Sequence, residues 1–170
     1  MDESPGTTAV IAEVLAHIDA NLDTFRENLF EWLRIPSISA QPAHKADCLA
    51  AASWVRDRLL ALGFTAELRN TPGHPVVLAR HAGPGPHILF YGHYDVQPPD
   101  PVELWTSPPF EPALVDSPHG KKFVARGAVD DKGQVAMFLE AMQAWKDVSG
   151  DVPGNITLVI EGEEEIGSDS

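Results

Sequence analysis

The chain has 170 residues and a formal net charge of −13, from 25 acidic and 12 basic residues. A charge of this sign repels phosphate backbones and argues against nucleic-acid binding. The single cysteine cannot form an intrachain disulfide, no apolar stretch is long enough to span a bilayer, and residues 1–5 lack the basic start of a secretion signal. These features predict a cytoplasmic globular protein whose chain is long enough to bury a core.

The first predicted elements are two helices. Apolar residues recur at helical spacing from about Thr7 to Arg34, and a proline two positions further on ends this helix. Pro42 and Asp47 introduce a second helix that runs to about Leu62. Gly63 follows, at the position where a helix end often needs left-handed backbone.

Beyond Gly63 the pattern changes to short strands separated by turns rich in glycine and proline. A helix from about Lys132 to Trp145 precedes the last strand, which ends in glutamates. The predicted strands span residues 64–69, 76–80, 88–91, 113–115, 123–125 and 155–161. Helices that alternate with strands predict a layered α/β fold. We expect three layers, α/β/α, with a mixed, mostly parallel sheet and helices on both of its faces.

The strand at 88–91 leads into the first candidate site. It ends at Gly92, and His93 and Asp95 follow directly. In extended backbone, residues two apart point the same way, so the imidazole and the carboxylate project together. Such a pair is typical of a metal-ligating histidine whose second ring nitrogen is held by an acidic partner. Taken alone, however, the pair is more often a surface histidine near an aspartate.

Two further acidic stretches change that interpretation. Asp130 and Asp131 lie between a strand end and a helix start, which is the crevice position where open α/β sheets place ligands. Asp131 can cap the helix and leave Asp130 free to point into the crevice. The other stretch has four glutamates between positions 161 and 165, after a buried strand. A solvated acidic turn is the commoner meaning of such a charge run, but bound cations would remove its repulsion.

All three stretches follow predicted strand ends, so in a parallel sheet they would converge on one edge. Carboxylate and imidazole groups without thiolates fit a zinc, cobalt or manganese hydrolase. An aspartate shared by two ions roughly 3.5–4 Å apart is what two-metal hydrolytic sites require. Of the adjacent glutamates Glu164 and Glu165, one can then bind metal while the other stays free as a base.

The three segments resemble the motifs of the clan MH zinc metallopeptidases. They are Gly92–Pro98 (Gly-His-Tyr-Asp-Val-Gln-Pro), Gly127–Gly133 (Gly-Ala-Val-Asp-Asp-Lys-Gly) and Glu161–Ser168 (Glu-Gly-Glu-Glu-Glu-Ile-Gly-Ser), in the family's order and spacing. This family includes carnosine and other dipeptidases, carboxypeptidase G-type enzymes, acetylornithine deacetylase and succinyl-diaminopimelate desuccinylase. The first motif is most similar to that of the dipeptidase branch.

The resemblance implies a role for each candidate residue. His93 is expected to bind one zinc ion, Glu165 the other, and Asp130 both, with cobalt or manganese as possible substitutes. Asp95 is expected to orient His93, and Glu164 to act as the general base. The implied reaction is hydrolysis of the amide bond of a dipeptide or an N-acyl amino acid by a water that bridges the two metal ions.

The resemblance also implies a cis peptide bond between Asp130 and Asp131, and parts that lie outside this chain. These parts are a further acidic ligand shortly beyond Ser170, a distant histidine, and a lid domain that recognises the substrate and completes a homodimer. Residues 1–170 are therefore expected to be the N-terminal part of the catalytic domain. Two functions stay open: part of a di-zinc hydrolase, or a catalytically incompetent fragment that binds cations weakly. The histidines outside the motifs are expected to be surface or structural residues, namely His17, His44, His74, His81, His87 and His119.

Overall fold

The computed structural model describes residues 5–170, with side chains from residue 8 onward. The helices are α1 (Pro5–Leu33), α2 (Lys45–Leu62) and α3 (Lys132–Ser149). The strands are β1 (Thr65–Arg69), β2 (Val76–His81), β3 (His87–His93), β4 (Ala113–Ser117), β5 (Gly120–Val124) and β6 (Asn155–Glu161). Each predicted element is present, although most of the ends are shifted by a few residues.

Glycine ends two of the helices. Gly63 follows α2 with a φ of +99°, and Gly150 follows α3 with a φ of +83°. Residues with a side chain rarely adopt this left-handed backbone conformation. The predicted role of Gly63, as the residue that ends α2, is therefore confirmed. None of the described helices is long and apolar enough to cross a membrane.

Four strands form one sheet in the order β1-β2-β6-β3. β1 pairs antiparallel with β2, and β2 pairs antiparallel with β6. Only β3 and β6 are parallel, with His93 opposite Glu161, and α3 lies in the crossover between them. The sheet is mixed, as predicted, but within the described residues it is not mostly parallel. For β1 and β2 the reason is local, because the short turn between them permits only antiparallel pairing, whereas parallel pairing needs a long crossover.

α2 and α3 pack on one face of this sheet, and α1 packs against α3. Burial along β6 alternates residue by residue, which is the pattern of a strand covered on one side. On the covered face, Phe90 of β3 stacks on Phe138 of α3 with ring centroids 4.1 Å apart. On the other face, Leu89 and Tyr91 are 66% and 55% exposed. The predicted helices on the second face are therefore absent from the part of the chain that the structure describes.

A buried lysine joins the end of α1 to the start of α3. The Nζ of Lys132 donates hydrogen bonds to the carbonyl oxygens of Trp32 at 3.1 Å and Ile35 at 2.7 Å. Lys132 is fully buried, and burial lowers the pKa of its ammonium group to about 7. This contact positions the first turn of α3, which directly follows the candidate aspartates.

The remaining two strands, β4 and β5, form a separate antiparallel hairpin. It packs on α1 through Phe123, whose ring meets that of Phe30 edge-on with centroids 5.4 Å apart. The turn between the two strands lies where the sequence predicts it, at residues 118–119. The hairpin brings the chain from the end of β3 back to the turn that carries the second motif.

Candidate metal centre

The three site segments meet at one edge of the sheet. β3 and β6 are parallel neighbours, so their C-terminal ends lie side by side, with His93 opposite Glu161. Glu164 and Glu165 follow in a short 3-10 turn after β6. Asp130 lies in the turn before α3, and its carboxylate reaches His93. Thus a histidine and three carboxylates from distant parts of the chain share one location.

His93 is at the centre of this group. Its Nε2 lies 3.0 Å from Asp130 Oδ1 and 3.8 Å from Glu164 Oε2. Ligand atoms of His93, Glu164 and Glu165 all lie within 4.8 Å of one another. The imidazole is buried, whereas the Asp130 side chain is 69% exposed. The buried histidine therefore presents one ring nitrogen to acids that are open to solvent.

Asp95 holds the opposite side of the imidazole. The Nδ1 of His93 lies 3.2 Å from both the Oδ1 and the main-chain oxygen of Asp95. Both of these oxygens are acceptors, so Nδ1 carries a proton, and Nε2 is directed at Asp130. Burial lowers the pKa of His93, but the hydrogen bond and charge of Asp95, together with the hydrogen bond of Asp130, raise it to about 9. The surrounding carboxylates therefore stabilise positive charge at this position, as they would stabilise a bound cation.

Asp131 has a different role from the predicted helix cap. It occupies the N-cap position of α3, but its side chain makes no capping hydrogen bond. Its Oδ2 instead accepts the main-chain N–H of His93 at 3.1 Å. Desolvation by burial raises the pKa of Asp131. The peptide bond between Asp130 and Asp131 is cis, as the family resemblance implies.

The four glutamates at the end of β6 and in the turn that follows it do not act as one group. Glu161 accepts a hydrogen bond from the hydroxyl of Tyr91 at 2.6 Å, and Glu163 is buried. Glu164 and Glu165 instead approach His93. Because the chain turns sharply after β6, neighbouring glutamates point to different partners, and the turn is not a uniformly solvated acidic surface.

Two residues that contact the site have no assigned role in the sequence prediction. The Nε2 of Gln97 donates to Glu165 Oε2 at 2.8 Å, and the hydroxyl of Ser39 donates to Asp95 Oδ2 at 2.6 Å. Gln97 stands two positions after Asp95 in the same motif. Residues two apart in extended backbone point the same way, so this spacing could have indicated that Gln97 faces the site. Ser39 lies far from every motif, and no local pattern indicates it.

The other six histidines take no part in this cluster within the described residues. His81 is buried against a main-chain carbonyl, and His87 contacts Thr157 on β6. The Nε2 of His74 lies 3.3 Å from the main-chain oxygen of Ser39. Their surroundings are those of surface and structural histidines, as expected.

The donor set fits a divalent metal ion. An imidazole nitrogen of fixed orientation faces carboxylate oxygens, which is a set that zinc, cobalt and manganese accept. The single thiol does not contribute, since Cys48 is buried in the core. His93, Asp130, Glu164 and Glu165 are therefore the residues that could hold such an ion.

The sequence and fold match known peptidases. The profile of peptidase family M20/M25/M40 matches residues 89–170, which include all three site segments. The chain is also 34% identical to the human Beta-Ala-His dipeptidase over 176 residues, which cover 94% of this chain and 34% of that protein. The chain is therefore similar to peptidases of the M20 family. It spans about a third of the length of the curated relatives it matches.

Two solved peptidase structures share the fold. The crystal structure of human carnosine dipeptidase 1 superposes with a TM-score of 0.83 at 32% identity, covering 93% of this chain and 36% of the dipeptidase. The M20 family metallo-carboxypeptidase Sso-CP2 from Sulfolobus solfataricus gives a TM-score of 0.71 at 35% identity, covering 85% of this chain and 32% of the other. These matches confirm the α/β fold class and the resemblance to metallopeptidases, including the dipeptidase branch.

Proposed function

We propose that this chain carries one part of the catalytic site of a metal-dependent dipeptidase. The observation that supports this most directly is the arrangement of His93, whose Nδ1 is held by Asp95 while its Nε2 faces Asp130 and Glu164. The dipeptidases among its relatives suggest dipeptides as substrates, and N-acyl amino acids are the alternative. In either substrate the bond to be hydrolysed is an amide.

Zinc is the proposed metal, with two ions in the complete site and cobalt or manganese as substitutes. His93 would bind one ion, Glu165 the other, and Asp130 both. Metal ions at this position would supply Lewis acidity for the amide carbonyl and the attacking water. Gln97 supports this assignment, because its hydrogen bond fixes one oxygen of the Glu165 side chain.

The chain's own residues would orient groups and move the proton. Asp95 keeps the proton on Nδ1 of His93, so that Nε2 is the nitrogen available to a ligand. Glu164 is the proposed general base, since it lies beside His93 and its side chain is 44% exposed, within reach of an entering water. It would take a proton from this water and return it to the leaving amine.

The proposal extends to the rest of the protein. Residues 1–170 would form the N-terminal part of the catalytic domain, and the further ligands and the lid domain would come from sequence outside this chain. Such a lid domain would also supply the homodimer contact. A cytoplasmic location stays a prediction that rests on the single, unpaired Cys48.

A second function is a weak cation-binding module without turnover. The exposure of Asp130 favours it, because 69% of that side chain is open to solvent and exposed carboxylates bind cations weakly. Both functions predict that this chain binds zinc. They differ in whether the longer protein hydrolyses an amide bond.

The test is hydrolysis by a longer protein that contains this chain together with its downstream sequence. Wild-type protein loaded with zinc should hydrolyse a dipeptide such as β-alanyl-histidine, and chelation should abolish the activity. His93→Ala should lose both zinc and activity, whereas His87→Ala, on the exposed part of the same strand, should keep both. Zinc binding without hydrolysis of dipeptides or N-acyl amino acids would favour the module, and no zinc binding would overturn both functions.

A further inference from the structure

The carboxylate of Asp95 links three separate segments of the chain. Its Oδ1 lies 3.2 Å from Nδ1 of His93, at the end of β3. Its Oδ2 accepts the main-chain N–H of Glu165 at 3.1 Å, in the turn after β6. The same Oδ2 accepts the hydroxyl hydrogen of Ser39 at 2.6 Å, from the loop between α1 and α2. Asp95 is fully buried, so these three donors are what hold its negative charge.

The Ser39 contact is the shortest of the three. A hydroxyl donating to a carboxylate at this distance is a charge-assisted hydrogen bond, which is about twice as strong as a neutral one. Ser39 is itself only 7% exposed, so water does not readily replace its hydroxyl. If the hydroxyl were removed, Oδ2 would keep only the Glu165 N–H, and the carboxylate could rotate away from His93.

The loop that carries Ser39 is fixed against the segment that carries Asp95. Val96 N–H donates to the main-chain oxygen of Ser37 at 3.0 Å, and Ile38 forms a parallel bridge with Val96. The hydroxyl of Ser37 donates to the main-chain oxygen of Tyr94 at 2.6 Å. Ser37 and Ser39 therefore both bind the 94–96 segment, but only Ser39 binds the carboxylate.

We propose that Ser39 is a positioning residue for the metal centre. Its hydroxyl fixes the Asp95 carboxylate, which then keeps the His93 ring in the orientation that presents Nε2 to the ion. Through the same Oδ2 it also sets the main chain of Glu165. The inference rests on the proposed function, because it requires that His93 and Glu165 bind metal. Ser39 would touch neither the metal nor the substrate, and would act only by orienting the side chains that bind the metal.

The test compares serine variants by their affinity for zinc. Ser39→Ala should weaken zinc binding by about 10–100-fold, the usual effect of removing a residue that orients a ligand. Ser39→Thr, which keeps the hydroxyl, should restore most of the affinity. Ser37→Ala is the matched control, since it also removes a buried hydroxyl from the same loop but leaves the carboxylate contact. It should lower the free energy of unfolding while zinc affinity stays at the wild-type value.

Titration calorimetry with zinc and visible absorption of the cobalt-loaded protein give two readouts besides activity. The cobalt spectrum should change in Ser39→Ala and return in Ser39→Thr, because it reports ligand geometry and not stability. If Ser39→Ala does not fold, Ser39→Cys replaces the hydroxyl with a larger and weaker donor, and it should show the same loss.

The outcomes separate this inference from the proposed function. Wild-type protein that binds no zinc would overturn the metal centre and the inference with it. Wild-type protein that binds zinc while Ser39→Ala binds equally well, with an unchanged cobalt spectrum, would overturn the inference alone. So would an equal loss of affinity in Ser39→Ala and Ser37→Ala, since that result would reflect only a weaker loop.

Discussion

The Nε2 of His93 lies 3.0 Å from Oδ1 of Asp130, although the two residues are 37 positions apart in the chain. One is the last residue of β3 and the other belongs to the turn that leads into α3. Their contact connects the strand edge to the helix start, and Glu164 approaches the same nitrogen from the end of β6. A cation bound there would therefore hold three parts of the fold together.

Glu164 and Glu165 should respond differently to substitution in the longer, active protein. Glu165→Ala removes an oxygen that Gln97 holds in place, so zinc content after dialysis should fall and added zinc should restore part of the activity. Glu164→Ala should keep its zinc but lose roughly 10²–10⁴-fold in kcat, because the base is gone. Equal loss of zinc in the two variants would instead make Glu164 a ligand, which its position within 4.8 Å of the other ligand atoms allows.

Lys132→Met should destabilise the protein by about 1–3 kcal/mol, because it removes two buried hydrogen bonds, those from Nζ to the carbonyl oxygens of Trp32 and Ile35. Lys146→Met is the matched control on the same helix. Its Nζ also donates to a main-chain carbonyl, that of Ala61, but at an exposed position where water can replace it. The control should change the free energy of unfolding by less than about 0.5 kcal/mol. Urea denaturation measures both values, and similar losses in the two variants would contradict the prediction.

Gly92→Ala should affect both stability and metal binding. A Cβ at this position would lie 2.6 Å from Val135 Cγ2 and 2.8 Å from Asp131 Oδ2, so both side chains have to move. We expect a loss of about 1–3 kcal/mol in the free energy of unfolding, as in other overpacked sites. Zinc affinity should fall as well, because Asp131 accepts the main-chain N–H of His93.

The control for this variant is Leu89→Ala on the same strand, where the side chain is 66% exposed. It should leave zinc affinity unchanged and stability within about 0.5 kcal/mol. Calorimetric titration with zinc and thermal unfolding supply the two measurements. If Gly92→Ala kept the wild-type zinc affinity and thermal stability, the strand end would tolerate a side chain and the prediction would be wrong.

Glu140 should make stability depend on pH. Its Oε1 accepts hydrogen bonds from Asn28 and Arg58, each at 3.0 Å, but burial outweighs these contacts and raises its pKa above the ordinary value of 4.5. The folded protein then holds this proton at pH values where the unfolded chain has released it. The stability that Glu140 contributes is therefore fully present below pH 4.5 and is lost as the pH rises through the folded-state pKa.

Glu140→Gln isolates this effect from other titrating groups. As the pH rises above 4.5, the free energy of unfolding of the wild type should fall relative to that of the variant. Glu27→Gln, which removes an exposed carboxylate, is the control for the loss of one surface charge. Urea denaturation at several pH values gives these differences, and a trend in the opposite direction would show that the pairing with Arg58 dominates.

Much of the fold follows from local patterns in the sequence. β6 spans residues 155–161 as predicted, because an apolar run with alternating burial ends where the glutamates begin. The pairing of His93 with Asp95 also follows locally, since residues two apart in extended chain share a side. Gly63 ends α2 because the backbone there is left-handed, a conformation that glycine adopts without strain and that a residue with a side chain does not.

The tertiary structure alone decides how these parts combine. The order and direction of the strands depend on which edges meet, so the expectation of a mostly parallel sheet with helices on both faces did not hold for the described residues. Ser39 reaches Asp95 across 56 positions, and Gln97 reaches Glu165 across 68. No local pattern indicates Ser39, and the alternation that points to Gln97 does not reveal its partner, because both contacts arise only when separate segments pack against one another. The sequence determined which residues could bind a metal, and packing decided which groups hold them in position.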